Sequence, residues 1–379
     1  MRILHIGKYY PPHHGGIETA LAALATELVR VPEVSLEVWV SSSDRSQWLG
    51  EIGGVRLRRF STWATFAGSP ISPAMLPALR QTRPDLVHTH WPHPLAAAMV
   101  LASGYKGPWV ISWHSDIVRQ KWLSRLLSPW QTAMLRRASV ICPTSAAYAR
   151  SSLALAPWLG KCEPVPLGLL PGPSGSRMGA AVAAIRRQWG SPLLLSVGRL
   201  VYYKGFEYLI EAMRQTAARL LLIGEGPLRE RLQAQIRAAG LRDRVILLGE
   251  VEDIEPYFHA CDVFILPSIE RSEAFGLVQV EAMSAGKPVI NTALPTGVPE
   301  VSLHAVTGLT VPPRDAAALA AAMNRLLGDP DLRQALGQAG RQRAASEFTA
   351  ARMAARTLDI YRRLLASAPL AQASSGASL

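Results

Sequence analysis

Two carboxylates stand eight positions apart in Glu273-Ala-Phe-Gly-Leu-Val-Gln-Val-Glu281, one on each side of a Phe-Gly step. Leu277, Val280 and Ser284 follow at helical spacing, which predicts a helix beginning just after that step. Glu281 then falls in the second turn, and Glu273 lies in the loop that feeds the helix. A helix N-terminus with free N–H groups favours an anion such as a diphosphate. Two hydroxyl-binding acids around an anion site suit a nucleotide-sugar, one acid for the sugar and one for the ribose. Two solvated glutamates beside an ordinary amphipathic helix have the same spacing, so the pair needs company.

That company includes cations. In Ser196-Val-Gly-Arg199-Leu-Val-Tyr-Tyr-Lys204-Gly205 two of them sit five residues apart where a strand gives way to a helix. Arg199 can fork onto phosphate oxygens and Lys204 adds a point charge. Together they would neutralise a departing diphosphate as charge develops on it. Near the N-terminus, Pro11-Pro12-His13-His14-Gly15-Gly16 precedes a helix, and paired glycines let a backbone approach a phosphate closely. Gly224-Glu225-Gly226-Pro227 closes another strand as a close-approach turn. Glu250, Val251 and Pro267-Ser268 lie at strand ends that suit the walls of a base and ribose site, or ordinary loops. Trp113-His114-Ser115-Asp116 follows a buried strand and sets His114 at a strand terminus, a better position for a site histidine than a helix face.

Short apolar runs alternate with helical patterns through the chain, the signature of parallel sheets covered by helices. In the first half strands are expected at Ile3–Gly7, Leu36–Ser41, Val55–Phe60, Leu86–His90, Trp109–Trp113, Ser139–Pro143 and Glu163–Leu167, with a helix over Ile17–Arg30. The turn-rich stretch Gly168–Ser176 reads as a linker. The second half repeats the rhythm with strands at Leu193–Val197, Leu220–Ile223, Val245–Leu248, Val263–Leu266, Val289–Asn291 and Leu309–Val311. Its helices are expected at Phe206–Gln215, Leu228–Ala239, Ile254–Ala260, Leu277–Ala285 and Ala316–Leu327. Two more follow, Asp331–Ala345 and Ala350–Leu365. We therefore expect an α/β protein of two doubly wound domains facing across a cleft, with ligands outside the carboxyl ends of the strands. The expected boundaries are 1–170, 171–348, a last helix over 349–366 and a loose tail over 367–379.

A chain of 379 residues accommodates two such domains, and 49% apolar content marks it as folded. No apolar run reaches the roughly 18–20 residues that span a bilayer, and Leu95–Ala102, the best candidate, is too short. The N-terminus lacks the apolar core of a secretory signal. Cys142, Cys162 and Cys261 have no metal-ligand spacing, which together point to a reduced cytoplasmic setting. The net charge of +12 is concentrated: eight Lys/Arg fall between Leu86 and Leu170 against Asp116 and Glu163, and all ten tryptophans precede Gly190. Arg119–Trp130 mixes cations with Trp122, Leu123 and Trp130, which fits peripheral contact with an anionic membrane. A helix packed on its own domain with a solvated basic edge fits as well. No nucleic-acid motif accompanies the charge, so nucleic acid is not an expected partner.

Taken in order, Gly15-Gly16, His114, Gly-Arg199…Lys204-Gly, Gly224-Glu-Gly-Pro and Glu273-x7-Glu281 with its continuation Ala-Met-Ser-Ala-Gly-Lys-Pro-Val-Ile resemble the retaining family 4 glycosyltransferases of GT-B fold over essentially the full length. One departure is Thr296-Gly297 before Glu300, where the family carries a glycine pair. The resemblance implies that Arg199 and Lys204 bind the diphosphate with help from Gly16. It implies that Glu273 and the backbone of Phe275, Gly276 and Leu277 hold donor sugar and phosphate. Glu281 would bind the ribose hydroxyls, His114 the transferred sugar near its C6, and the last helix would cross back onto the first domain. Within the family the chain is similar to bacterial mannosyl- and rhamnosyl-type enzymes that build surface polysaccharide, including lipopolysaccharide, on a lipid carrier. The expected donor is GDP-mannose with a UDP-hexose second, and the expected acceptor is a glycan or a polyprenyl-diphosphate-linked glycan. No metal or other cofactor is expected, since no Asp-x-Asp cluster appears and the cations replace the metal. A retaining hydrolase needs two carboxyls about 5–5.5 Å apart around the bond, whereas these acids are better placed to bind hydroxyls. Three rivals differ in observable ways. A sugar-nucleotide epimerase of similar fold would convert the donor alone. A nicotinamide dehydrogenase would show Gly-x-Gly-x-x-Gly, which is missing. A sensor would bind without turnover.

Overall fold

The computed structural model describes residues 1–13, 15–66, 68–116, 121–172 and 176–367, with backbone alone at 121–128 and 176–177. The chain forms two compact units. The first comprises Met1–Pro143, Ala154–Val165 and the chain from Ala350 onward, and the second comprises Thr144–Leu153 and Pro166–Thr349.

In the first unit come β1 (Arg2–Ile6), α1 (Gly16–Leu28), β2 (Ser35–Ser41), β3 (Trp48–Ile52), β4 (Val55–Phe60), the ribbon β5 (Ala64–Phe66) and β6 (Ser69–Ile71), α2 (Met75–Gln81), β7 (Leu86–Trp91), α3 (Pro94–Ser103), β8 (Trp109–Trp113), α4 (Lys121–Arg137) and β9 (Val140–Pro143). The sheet order is β3-β4-β2-β1-β7-β8-β9, parallel except for β3, which pairs antiparallel with β4. Strand β3 escaped the sequence reading because it is an exposed edge with no buried face to impose alternation. The expected strand at Glu163–Leu167 is instead extended chain beside β9. The N–H groups of Glu163 and Val165 donate to Ile141 and Pro143 at 2.9 Å each, but Pro143 has no N–H to return a bond to the Glu163 carbonyl and continue the ladder.

The second unit begins with α5 (Ala146–Ser151), then α6 (Ser176–Trp189), β10 (Leu193–Val197), α7 (Phe206–Ala212), β11 (Arg219–Ile223), α8 (Arg229–Ala238), β12 (Val245–Gly249), α9 (Glu255–Ala260), β13 (Val263–Ile265), α10 (Leu277–Ser284), β14 (Val289–Thr292), α11 (Val298–Val301), β15 (Gly308–Val311), α12 (Ala316–Gly328) and α13 (Pro330–Glu347). The all-parallel sheet runs β12-β11-β10-β13-β14-β15. Its core gathers Phe206, Leu220, Leu222, Ile265, Ile290 and Met323, all at most 1% exposed, from strands and covering helices. Residues 144–153, expected in the first domain, group here because Arg271 donates to the Ser151 carbonyl, the Ser151 hydroxyl donates to the Pro295 carbonyl at 2.5 Å, and the Ala147 N–H reaches Glu300 at 3.2 Å. Helix α6 occupies the end of the expected linker, whose residues 173–175 lie outside the described chain.

The last helix, α14 (Ala350–Ser367), belongs to the first unit and packs on α1. Tyr361 on its inner face is fully buried. Among the described residues no helix is long and apolar enough to cross a membrane, and Leu95–Ala102 lies inside α3. In the basic segment, Arg119 and Gln120 and the side chains of 121–128 lie outside the described chain, while Trp130 is exposed. The tail from 368 onward lies outside it as well.

Candidate active site

In an open parallel sheet, ligands settle where neighbouring strands lead their connections away in opposite directions. In the second unit that point lies between β10 and β13, because the chain proceeds from β10 to β11 and β12 on one side and returns to β13 on the other. The segment after β10 carries Arg199 and Lys204, and the segment after β13 carries Ser268 and Glu273. The structure brings Lys204 and Glu273 together: Lys204 Nζ lies 2.6 Å from Glu273 Oε2, both side chains about nine-tenths buried. The Ser268 hydroxyl donates to the same oxygen at 2.8 Å. Burial pulls the Lys204 ammonium downward, but Glu273, with Tyr203 and Glu281 behind it, outweighs that and holds its pKa above the usual value. Arg199 is exposed, and its guanidinium makes no hydrogen bond or ion pair among the described residues. The segment after β10 thus carries one buried, paired cation and one exposed one.

Local backbone explains why Lys204 is so placed. It ends a single 3-10 turn, Tyr202–Lys204, and is followed by Gly205 at φ 68°. A Cβ at Gly205 would lie 2.1 Å from the Pro267 carbonyl oxygen, so only glycine lets this turn press against the end of β13.

Helix α10 begins at Leu277, and Gly276 before it has φ 70° and provides no side-chain cap. A Cβ there would meet Leu266 Cδ2 at 2.5 Å and Gln279 Nε2 at 2.8 Å. Gln279 donates to the Phe275 carbonyl at 3.0 Å and accepts from Asn291 at 2.9 Å, while the Gly297 N–H donates to the Ala274 carbonyl at 2.8 Å. The Phe-Gly step is therefore clamped from two sides, and the uncapped amides of α10 are held in place rather than left to fray. Phe275 itself is buried, edge-on to Phe348. Glu281, half-buried in the second turn, has its carboxyl pushed up to about 7, chiefly by burial and further by Glu255, with Lys204 acting against the rise. This acid is poised between its charged and neutral forms at neutral pH.

Among the described residues the side chains of Glu225 and Val251 have no bond to this cluster, though the Glu225 carbonyl accepts from the N–H of Leu200, next to Arg199, at 2.8 Å. Glu225 is exposed and pairs with Arg229 at 2.5 Å, and Val251 is half-buried in the loop after β12. No hydrogen bond or ion pair among the described residues joins either to Lys204 or Glu273.

The first unit has its own switch point, between β1 and β7. After β1, Gly15 precedes α1 without a side-chain cap, and Gly16 opens the helix. A Cβ on Gly16 would meet nothing within 4 Å, so packing within the chain does not demand glycine there. His14 lies outside the described residues. His114 follows β8, is 6% exposed, and donates its backbone N–H to Trp91 at 3.0 Å. Its Nε2 lies 3.0 Å from His90 Nδ1, while its Nδ1 has no partner among the described residues. Burial lowers its pKa to about 4, so the ring is neutral.

Several residues that shape these sites went unremarked in the sequence. Tyr203 flanks the Lys204–Glu273 pair, Gln279 and Asn291 clamp the Phe-Gly step, and His5, His88 and His90 lie behind His114; Ser268, expected as a wall of the base and ribose site, instead bonds Glu273. The histidines did carry a signal. His88 and His90 are two apart on a strand and so share a face, and polar residues in a fully buried parallel strand are unusual.

Two open, almost entirely parallel sheets, each with glycine turns and a switch point, define an α/β protein of the doubly wound class. The comparisons with known proteins sharpen this. Residues 15–168 match the glycosyl transferase 4-like domain and residues 182–343 match glycosyl transferases group 1. O-antigen chain mannosyltransferase C of Escherichia coli is 30% identical over 372 residues, covering 97% of this chain and 100% of that protein. D-rhamnosyltransferase WbpZ of Pseudomonas aeruginosa is 32% identical over 359 residues, covering 92% and 93%. Among solved structures, a sucrose-phosphate synthase from Thermosynechococcus elongatus superposes with TM-score 0.79 at 26% identity, covering 97% of this chain and 100% of that one. The chain belongs to the group 1 glycosyltransferases with a 4-like first domain, and its fold is GT-B.

Proposed function

We propose that this glycosyltransferase moves a hexose from a nucleoside diphosphate sugar to a hydroxyl of a growing surface polysaccharide, with retention at the anomeric carbon. The observation that carries the reading is the buried Lys204–Glu273 pair at the β10/β13 switch point, with Glu281 a turn into the adjoining helix and Arg199 open beside it. Lys204, Arg199 and the N-terminus of α10 supply positive potential for a diphosphate. Glu273 and Glu281 supply acceptors for sugar and ribose hydroxyls. In the step we favour, the bond from C1 to the diphosphate oxygen breaks and the acceptor oxygen bonds C1 on the same face. The acceptor's proton passes to the departing diphosphate. Fixed cations lower the energy of that charge build-up because they need no reorganisation as it forms. His114 and the Gly15-Gly16 turn contribute through the first unit, His114 to the transferred sugar and Gly16 to the phosphates.

GDP-mannose is the donor we favour, supported by the mannosyltransferase relative that matches over its whole length. A UDP-hexose is second. The acceptor we favour is a glycan, free or on a polyprenyl diphosphate, and the excess of cations in the first half of the chain suits a surface rich in anionic headgroups. The test is a panel of nucleotide-sugars scored by thermal shift and then by transfer to acceptor. One donor should raise the midpoint selectively, since a ligand of the folded state stabilises it. Transfer should persist in chelator, and donor alone should yield no new sugar-nucleotide. A panel with no stabilising nucleotide-sugar would refute the proposal.

A further inference from the structure

Six side chains of the first unit form one continuous hydrogen-bonded chain through the core. Ser112 Oγ lies 2.9 Å from His88 Nε2, and His88 Nδ1 lies 2.5 Å from the Tyr361 hydroxyl. That hydroxyl lies 2.7 Å from His5 Nε2, His5 Nδ1 lies 3.3 Å from His90 Nε2, and His90 Nδ1 lies 3.0 Å from His114 Nε2. The register of the sheet imposes this order. His5 on β1 stands opposite His88 on β7, and His90 stands opposite Ser112 on β8, so all four share one face, with Tyr361 of α14 reaching the same cluster. The rings of His90 and His114 have planes 14° apart and centroids 5.3 Å apart, which suits an in-plane N–H···N bond.

Every member is neutral. Burial lowers His5 to about 3 and His114 to about 4, takes His88 and His90 well below the ordinary imidazole value, and raises Tyr361. A neutral imidazole has one N–H and one lone pair, and a phenol has one O–H. The Tyr361 oxygen could accept from both histidines, but its own buried O–H would then be unpaired; with every proton used, the bonds all point the same way along the chain. If Ser112 donates to His88, then His88 donates to Tyr361, Tyr361 to His5, His5 to His90 and His90 to His114, whose remaining proton sits on Nδ1. If the order reverses, His114 Nδ1 becomes a bare lone pair and Ser112 must donate its proton elsewhere, yet Ser112 has no other side-chain bond among the described residues. The first polarity leaves one surplus donor, at His114 Nδ1. The second leaves a surplus donor at Ser112 and an unfilled acceptor at His114, and buried polar groups without partners are costly.

We propose that this relay fixes His114 as the Nδ1–H tautomer, with its donor presented to a hydroxyl oxygen of the transferred sugar, and that Tyr361 is the positioning residue that joins its two halves. The proposal rests on the reading of His114 as a sugar-binding residue. The ligand atoms of His5, His88 and His90 also lie within 4.8 Å of one another, as a metal site would require. Their ring nitrogens are all committed to the relay, however, and the group contains no carboxylate to offset the charge of a buried divalent ion.

The test uses the full-length protein labelled with ¹⁵N-histidine, with His114 assigned by loss of its signals in His114→Gln. In the wild type His114 should show a protonated Nδ1 and a bare Nε2 at pH 7. Tyr361→Phe removes only the hydroxyl that two histidines share, and should produce mixed or reversed tautomers at His114. Its turnover should fall tenfold or more, while affinity for the free nucleoside diphosphate, which lacks the sugar, stays within twofold. A wild-type His114 protonated on Nε2 overturns the proposal whether or not the variant folds. So does an unchanged His114 tautomer in folded Tyr361→Phe, or a stoichiometric divalent ion bound to the purified protein. If His114→Gln keeps full turnover while the tautomer responds to Tyr361→Phe, the relay stands and the sugar-binding reading of His114 falls instead.

Discussion

Glu281 offers the sharpest quantitative test of the donor site. Burial, with Glu255, pushes its carboxyl up to about 7, against 4.5 for an ordinary glutamate. Two ribose hydroxyls can both donate to the carboxylate, the charge-assisted arrangement, so donor binding to that form should drive the proton off. The charged fraction rises from about one-tenth at pH 6 to about nine-tenths at pH 8, which makes donor affinity about tenfold weaker at pH 6. At pH 7 binding should release about half a proton, measurable by calorimetry in two buffers of different ionisation enthalpy. Glu281→Gln should flatten the pH profile and weaken the donor by about 1.5–3 kcal/mol, the worth of charged hydrogen bonds. The same shift has a consequence for stability. The folded form holds its proton up to about 7 while the unfolded chain loses it near 4.5, so stability falls as pH rises between those values and is lowest above 7. Because Glu281 is only half-buried, we discount the full linkage value and expect Glu281→Gln to stabilise the unliganded protein by about 1–2 kcal/mol at pH 8. Such a gain is the usual counterpart of a strained functional group. Donor affinity independent of pH from 6 to 8, with no proton release, would refute the assignment of Glu281 to the ribose.

Other substitutions separate position from chemistry. Lys204→Ala should lower kcat by about 100- to 1,000-fold, as loss of a preorganised charge partner does, with a smaller change in donor KM; unchanged turnover in steady-state assays would remove Lys204 from the diphosphate. Glycine changes should split into two kinds. Gly276→Ala places a Cβ 2.5 Å from Leu266 in a left-handed backbone and should cost about 1–3 kcal/mol, seen as a lower melting temperature. Gly16→Ala meets no atom within 4 Å and should melt like the wild type, yet lose transfer activity if phosphate oxygens approach that backbone.

Much of this molecule was legible because its signals are local. Central parallel strands such as Leu193–Val197 are apolar runs buried on both faces, and they stand where expected. The carboxylates at 273 and 281 and the cations at 199 and 204 were visible as residue types at strand ends, where α/β sheets gather ligands. What sequence could not supply was pairing across distance. Spacing alone does not reveal that Lys204 closes on Glu273, because sixty-odd residues and three strands intervene and only the strand order joins them. Edge strand β3 was lost for a related reason: it has no buried face, and its partner in the Gly53-Gly54 hairpin was read without it. The histidine chain shows the limit most clearly. His5, His88 and His90 each resemble an isolated polar residue in an apolar strand, and strand periodicity places the last two on one face, but nothing nearby in sequence points to Tyr361, hundreds of positions away on α14. Tyr361 gives α14 a polar anchor in the first unit's core, because its hydroxyl meets His88 Nδ1 and His5 Nε2, two buried ring nitrogens that would otherwise be unpaired.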